Sequence, residues 1–330
     1  MNRRRKLAFA IGLSALATPF AGLAQPAGRG RRIGWLSLGK SGSEVAQQLQ
    51  RQLREWLLRA GYEEGKNLAI EWRFAEGDVA RLAVLADGLV RLNVEVIIAS
   101  LNQAIAAAKR ATRTIPIVMY GAVLPVELGF VESLARPGGN ITGTTWTAPE
   151  LVGKGLEILK EAAPGTARVA LLFNPTMPGA ELSEPATVHA ASALGVSVQN
   201  FLVTRPEDIP AALNRIAASR PDALGVAVDA IIGTRLREIA TFALQQKLLS
   251  IGNAPQFVNA GGTLYYGVDL PSILQRTISY VDRILKGAKP AELPIEQPTK
   301  FQFVINLKTA KALGLTIPQS VLLRADEVIE

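Results

Sequence analysis

The chain has 330 residues, long enough for two domains that each bury a core of ordinary size. It is 48% hydrophobic, with a mean hydropathy of +0.21. Beyond the N-terminus, however, no apolar run approaches the roughly 20 residues of a membrane-spanning helix, which excludes a membrane bundle. Cysteine is absent, which excludes a disulfide framework, thiol catalysis, cysteine metal sites and a lipid-modified cysteine.

The first stretch, "MNRRRKLAFAIGLSALATPFAGLAQP", has the parts of an export signal. Arg3, Arg4, Arg5 and Lys6 precede an apolar run, and Gly22 and Ala24 satisfy a small-x-small cleavage rule. A retained signal anchor is the competing reading, and both the general and the twin-arginine export routes stay open. Cleavage after Ala24 leaves 32 basic residues against 28 acidic ones, so the formal charge falls from +8 to +4. That balance, without a basic face interleaved with aromatics, gives no reason to expect a nucleic-acid partner. The expected product is free in the periplasm, a compartment without an ATP supply.

Apolar strand patterns then alternate with helical ones, as in parallel sheets flanked by helices. A strand is predicted over 33–38. A helix follows, opened at Ser43 and Glu44, carrying Val45, Leu49, Leu53, Trp56 and Leu57 on one face, and stopped by Gly61. Strands over 68–74, 94–99 and 115–120 alternate with helices over 79–92 and 103–111. "SLARPGGNITGTT" breaks this rhythm and reads as a crossing between lobes.

A second series follows: helices over 151–163, 181–194, 207–219 and 234–246, and strands over 168–173, 196–203, 223–228 and 248–251. A strand over 263–266 and a helix over 271–286 come next. The proline-rich "GAKPAELPIEQP" reads as another crossing. "FQFVINLKTAKALGL" supplies a strand, an Asn306 cap, a short helix and a Gly314 stop. The expected fold is α/β: two doubly wound, Rossmann-like lobes on a multi-crossing hinge, with a ligand cleft between them. The first lobe is expected from 30–142 plus about 268–290, and the second from 143–267 plus about 295–330.

Four stretches carry a family likeness: "LARPGGNITGTT", "GLEILKEAAPGTARVALLFNP", "NAGGTLYYGVDL" and the tail "GAKPAELPIEQPTKFQFVINLKTAKALGLTIPQSVLLRADEVIE". They resemble the TrpX-like substrate-binding proteins of ABC transporters, whose characterised members bind aromatic amino acids. The resemblance implies a type I periplasmic binding fold, three crossings and closure around a small ligand. In "GAVLPVELG", Leu124 stands where that family usually has an acid, so a member's ligand is not carried over directly.

One motif points elsewhere. Gly34, Gly39, Lys40 and Ser41 match the phosphate-loop pattern G-x-x-x-x-G-K-[ST], and "ALGVAVD" ends in Asp229 as a magnesium-binding strand does. A real phosphate loop needs small residues before its Lys, whereas Trp35, Leu36 and Leu38 fill this one with strand core. The single histidine, His189, sits mid-helix and cannot build a metal site or a base-and-orienter pair. "NAGGTLYYG" lacks the dinucleotide spacing, and Glu63-Glu64 and Asp326-Glu327 read as solvated surface. No catalytic constellation, metal or cofactor is expected.

In open α/β sheets, ligands lie outside the carboxyl ends of the strands. That rule selects Ser37, Ser100, Asn102, Gln103, Tyr120 and Gly121 in the first lobe. In the second it selects Asn174, Asp229 and Asn253, with Tyr266 and Asp269 near the late crossing. Ser100 and Asn102, with helix-start amides, are candidates for a ligand carboxylate. Asp229 is the candidate for an ammonium, and Tyr120 or Tyr266 for stacking. The expectation is a monomeric periplasmic binding component of an ABC importer, taking a small amino-acid-like ligand and delivering it to a membrane permease. A two-lobed nucleotide or nucleotide-sugar enzyme using Gly34–Ser41, and a ligand sensor for a signalling receptor, are the alternatives.

Overall fold

The computed structural model describes residues 30–330 except Thr147 and Gly179, and leaves the side chains of 148–150 and 182–184 undescribed. The expected export signal, 1–24, lies outside the described residues. In chain order the first lobe supplies β1 (Arg31–Ser37), α1 (Glu44–Arg59), β2 (Leu68–Phe74), α2 (Arg81–Arg91), β3 (Val96–Ser100), α3 (Leu101–Ala111), β4 (Ile117–Ala122) and β5 (Ile141–Thr145). The second supplies α4 (Ala148–Ala162), β6 (Arg168–Phe173), α5 (Ala180–Ala193), β7 (Ser197–Leu202), α6 (Ile209–Ser219), β8 (Ala223–Val226), α7 (Leu236–Gln245), β9 (Leu249–Gly252), α8 (Pro255–Asn259) and β10 (Leu264–Val268). After these come α9 (Leu270–Leu285), β11 (Phe301–Asn306), α10 (Leu307–Ala312), α11 (Gln319–Leu322) and β12 (Glu327–Ile329).

The first sheet has five strands in the order β2-β1-β3-β4-β5, all paired in parallel. Helices cover both faces, which is why β3 and β4 are near-continuous apolar runs. Trp35, Ile98 and Val118 pack against Leu53 and Leu57 of α1 and Ile278 and Val281 of α9. On the other face Leu36, Ile97 and Met119 meet Leu89 of α2 and Ile105 and Ala108 of α3. The second sheet runs β12-β11-β10-β9-β8-β6-β7, with β10 and β11 antiparallel. Its face toward α6 and α7 buries Leu172, Leu224 and Val226; its face toward α4 buries Val169, Leu249 and Ile251.

The segment read as a crossing, "ITGTT", is instead β5, with all five residues buried. Gly143 has φ +130°, and a Cβ there would stand 2.4 Å from the Met119 carbonyl oxygen. Only glycine allows this approach, and the pairing register of β4 and β5 shifts at that point.

Three crossings join the lobes: after β5, between β10 and α9, and between α9 and β11. They are tied together. The Thr145 amide donates to the Glu296 carbonyl at 2.9 Å, the Glu296 amide to Gly143 at 3.0 Å, and the Asp269 amide to the Lys300 carbonyl at 3.1 Å. The proline-rich third crossing thus borrows its order from β5, since its own prolines cannot donate.

Candidate functional site

A cavity of about 150 Å3 lies where the carboxyl ends of β6, β8, β9 and β10 face the first lobe. Leu101 and Val123 close it from the first lobe, with Trp146 on the first crossing and Leu270 just past the second. Asn174, Asp229 and Asn253 stand past strand ends of the second lobe, and Tyr266 stands within β10. From there the cavity runs between α4 and the sheet, past Leu171, Gly225 and Ile251.

The polar wall is organised by Asp229, which the short strand β8 delivers just past its end. Its Oδ1 accepts from the Ile231 and Ile232 amides at 3.0 and 2.8 Å, and its Oδ2 from Asn174 Nδ2 at 2.5 Å. Burial pushes the Asp229 carboxyl above the usual carboxylate range, against the pull of those three hydrogen bonds. Asn174 is itself held, its Oδ1 accepting from the amide and hydroxyl of Thr176 at 2.9 and 2.8 Å. Asn253 Oδ1 accepts from the Val228 amide at 2.8 Å, which leaves its amide donors for a ligand. Among the described residues lining the cavity, Asp229 is the one charged side chain. An anion without a compensating cation would therefore be unpaired there.

The apolar wall is led by Tyr266 and Trp146. Tyr266 is stacked on Phe301, with centroids 6.1 Å apart and planes at 14°. Trp146 lies against Gly121, whose φ is +74°; a Cβ at 121 would be 2.7 Å from Trp146 Nε1. The indole N–H is buried and has no partner among the described residues. Leu101 begins α3 at φ +64°, a left-handed conformation costing about 1–2 kcal/mol for an L-residue.

The structure thus brings Asn174, Asp229, Asn253 and Tyr266 to one cavity, and places the other seven candidates elsewhere. Ser37 Oγ accepts from the Gly39 amide at 3.1 Å. Ser100 ends β3 at the cap position of α3 without making a side-chain capping bond. Asn102 bonds the Val123 backbone and, across the cleft, the Pro178 carbonyl. Gln103 is buried within α3. Tyr120 is core, 5.5 Å from Trp35, and burial raises its phenol pKa. Gly121 supports Trp146 from behind, and Asp269 caps α9 by accepting from the Ser272 amide at 2.8 Å. Sequence reasoning did not single out Leu101, Val123 and Trp146, which also line the cavity, and the packing of Trp146 on Gly121 carries no sequence signal because 25 residues separate them.

The Gly34–Ser41 segment does not form a phosphate cradle. Gly34 and Trp35 are inside β1, and the Ser41 amide donates to Glu76 Oε1 at 3.0 Å. Hydrogen bonds from the Ser41 side chain and amide hold the Glu76 carboxyl below the usual range, so a negative charge sits where a phosphate would go. His189 is exposed on α5. Among the described residues, no cluster of His, Cys, Asp and Glu could hold a metal, and no helix is long and apolar enough to cross a membrane.

Comparison with known proteins agrees with this architecture. The model of the family described as ABC transporter substrate binding protein matches residues 45–329. A curated relative, the tyrosine-binding protein of Clostridioides difficile, is 24% identical over 255 residues, 77% of this chain and 73% of that one. The solved structure of a conserved domain protein from Vibrio cholerae is 28% identical with a TM-score of 0.84, covering 90% of this chain and 99% of the other. An ABC domain in complex with L-Trp from Streptococcus pneumonia is 25% identical, also at 0.84, covering 91% and 100%. The fold is that of the type I periplasmic binding proteins; the Clostridioides difficile relative is named for binding tyrosine, and the Streptococcus pneumonia structure holds L-Trp. The chain belongs to the ABC transporter substrate binding protein family.

Proposed function

We propose that the protein is the periplasmic binding component of an ABC importer, and that it holds an amino acid or close analogue with an uncharged, preferably aromatic, side chain. The observation that carries the reading is the polarity of the interlobe cavity: one carboxylate with two amides at the strand ends, and beyond them walls that are apolar apart from Thr187 and Asn200. Asp229 and the amide donors of Asn174 and Asn253 would meet the charged end of a zwitterion. Trp146 and Tyr266 would flank its apolar part. The names of the tyrosine- and L-Trp-binding relatives support the same class. Closure would follow from contacts made only when both lobes meet, and the closed form would deliver its cargo to a permease. The export signal expected in residues 1–24 supports the location, and the molecule would act as a monomer.

The test is a thermal-shift series on the protein lacking residues 1–24, with L-tryptophan, L-tyrosine, L-phenylalanine, L-glutamate, purines and ATP with magnesium. An aromatic amino acid at a hundred times its Kd should add about 2.7 kcal/mol of stability, while glutamate and ATP should add none. A shift with ATP that vanished on Lys40→Ala would overturn the reading.

A further inference from the structure

Gly155 sits in the middle of α4, where glycine costs about 0.5–1 kcal/mol relative to alanine. Two ordinary reasons for such a glycine are a backbone conformation only glycine can hold and a close helix contact. Neither is seen among the described residues. Gly155 has an ordinary helical backbone, and among the described residues a Cβ built on it would meet nothing nearer than Ile251 Cδ1 at 3.6 Å, a normal contact distance. Its neighbour Gly153 shows what a packing glycine looks like: a Cβ there would stand 3.3 Å from Ala190 Cβ of α5.

The absent side chain at 155 leaves cavity. Gly155 lines it with Leu151, Val152 and Leu156, one face of α4, opposite Ile251 of β9. Gly225 of β8 lines it too and again lacks a side chain, although a Cβ there would be 3.0 Å from Leu171 Cδ1. The result is a largely apolar slot between helix and sheet, with Thr187 of α5 and Asn200 of β7 also on its wall and Asp229 beyond the end of β8 at its mouth. The whole cavity, polar mouth included, has about 150 Å3, comparable to an apolar cavity that takes a benzene ring.

We propose that Gly155 is the specificity-determining position of this protein: the ligand's ring enters edge-first between α4 and β8–β9, and the missing Cβ at 155 sets the largest ring that fits. The polar end of the ligand stays at Asp229, Asn174 and Asn253. This rests on the reading of the cavity as the ligand site.

Calorimetric titration of the chain lacking residues 1–24 with L-tryptophan, L-tyrosine and L-leucine tests it, using wild type, Gly155→Ala, Ile251→Val and the double variant. Gly155→Ala should melt no lower than wild type, lose about tenfold affinity for the largest ring it binds, and change little toward leucine. Ile251→Val deletes the methyl facing the new Cβ, so the double variant should recover most of that loss. A merely structural role for Gly155 would not give this size-dependent rescue. A folded Gly155→Ala protein that bound all three as wild type does would overturn the assignment and leave the site in place. A lower melting temperature for Gly155→Ala would overturn it in favour of packing. A wild-type chain that bound none of the three would overturn the site reading as well.

Discussion

Asn102 of the first lobe donates its Nδ2 to the Pro178 carbonyl of the second at 2.7 Å. The same amide bonds the Val123 carbonyl at 3.0 Å and accepts from the Val123 amide at 2.9 Å. Two of these bonds stay within the first lobe and fix the side chain, so the third is preorganised and is made only when the lobes meet. Asn102→Ala should weaken ligand binding about tenfold, equivalent to about 1.4 kcal/mol. The apo protein should lose about 1 kcal/mol for the Val123 groups left unpaired. Small-angle scattering should show less contraction on ligand addition than in wild type. Unchanged affinity would remove Asn102 from the closure mechanism.

Asp229 predicts a distinctive pH dependence. Its folded pKa is raised by burial, so folding favours its neutral form relative to the unfolded chain. The stabilising contribution is therefore full below the unfolded value, near 3.9, and is lost as pH rises through the raised folded value. Asp222 behaves oppositely. The amides of Ala167 and Arg168 and the Arg168 side chain hold its carboxyl low, so its contribution is lost as pH falls through that lowered value. Asp229→Asn keeps an acceptor for the Ile231 and Ile232 amides and should flatten the melting curve above pH 4 without altering the acid limb below it. The same variant should weaken binding of an amino acid far more than it changes apo stability at neutral pH.

Gly121 and Trp146 form a second separable pair. A Cβ at 121 would lie 2.7 Å from the ring, closer than real contacts allow, and φ there is +74°. Gly121→Ala should cost about 1–2 kcal/mol for the backbone alone and push the indole into the cavity. Ligand affinity should fall at least tenfold, and the tryptophan emission should shift. Normal binding with only a lowered Tm would mean that the Trp146 ring does not border the ligand.

The alternation of strands and helices was legible because parallel strands covered on both faces must be apolar throughout, while their helices repeat at three and four residues. β5 was not, because its Ile-Thr-Gly-Thr-Thr reads as turn chemistry; only the close approach to Met119 explains Gly143. In the candidate site, the rule about strand ends selected loops that the structure brings to the cavity from both lobes. In the first lobe the left-handed turn at Leu101 puts that residue, and not the selected Ser100, on the cavity wall. Asn174 and Asp229 were legible as polar residues at the end of apolar runs, and their mutual hydrogen bond was not, because 55 residues separate them.

The hinge yields the last prediction. Tyr280 of α9 donates its hydroxyl to the Pro294 carbonyl and lies 3.2 Å from Glu296 Oε1, linking the helix to the third crossing. Burial raises the Tyr280 phenol pKa, with the Glu296 charge adding to the rise, so the group stays a donor at every pH the protein experiences. Glu296 also pairs with Arg276 at 3.2 Å, and its backbone brackets β5 through Thr145 and Gly143. Removing one hydroxyl should therefore loosen the segment that joins two crossings rather than the core of either lobe. Tyr280→Phe should lower stability by about 1 kcal/mol and speed amide exchange at Thr145 and Glu296, with exchange in β3 and β8 unchanged. Faster exchange spread evenly over both sheets would show instead that Tyr280 supports the first-lobe core.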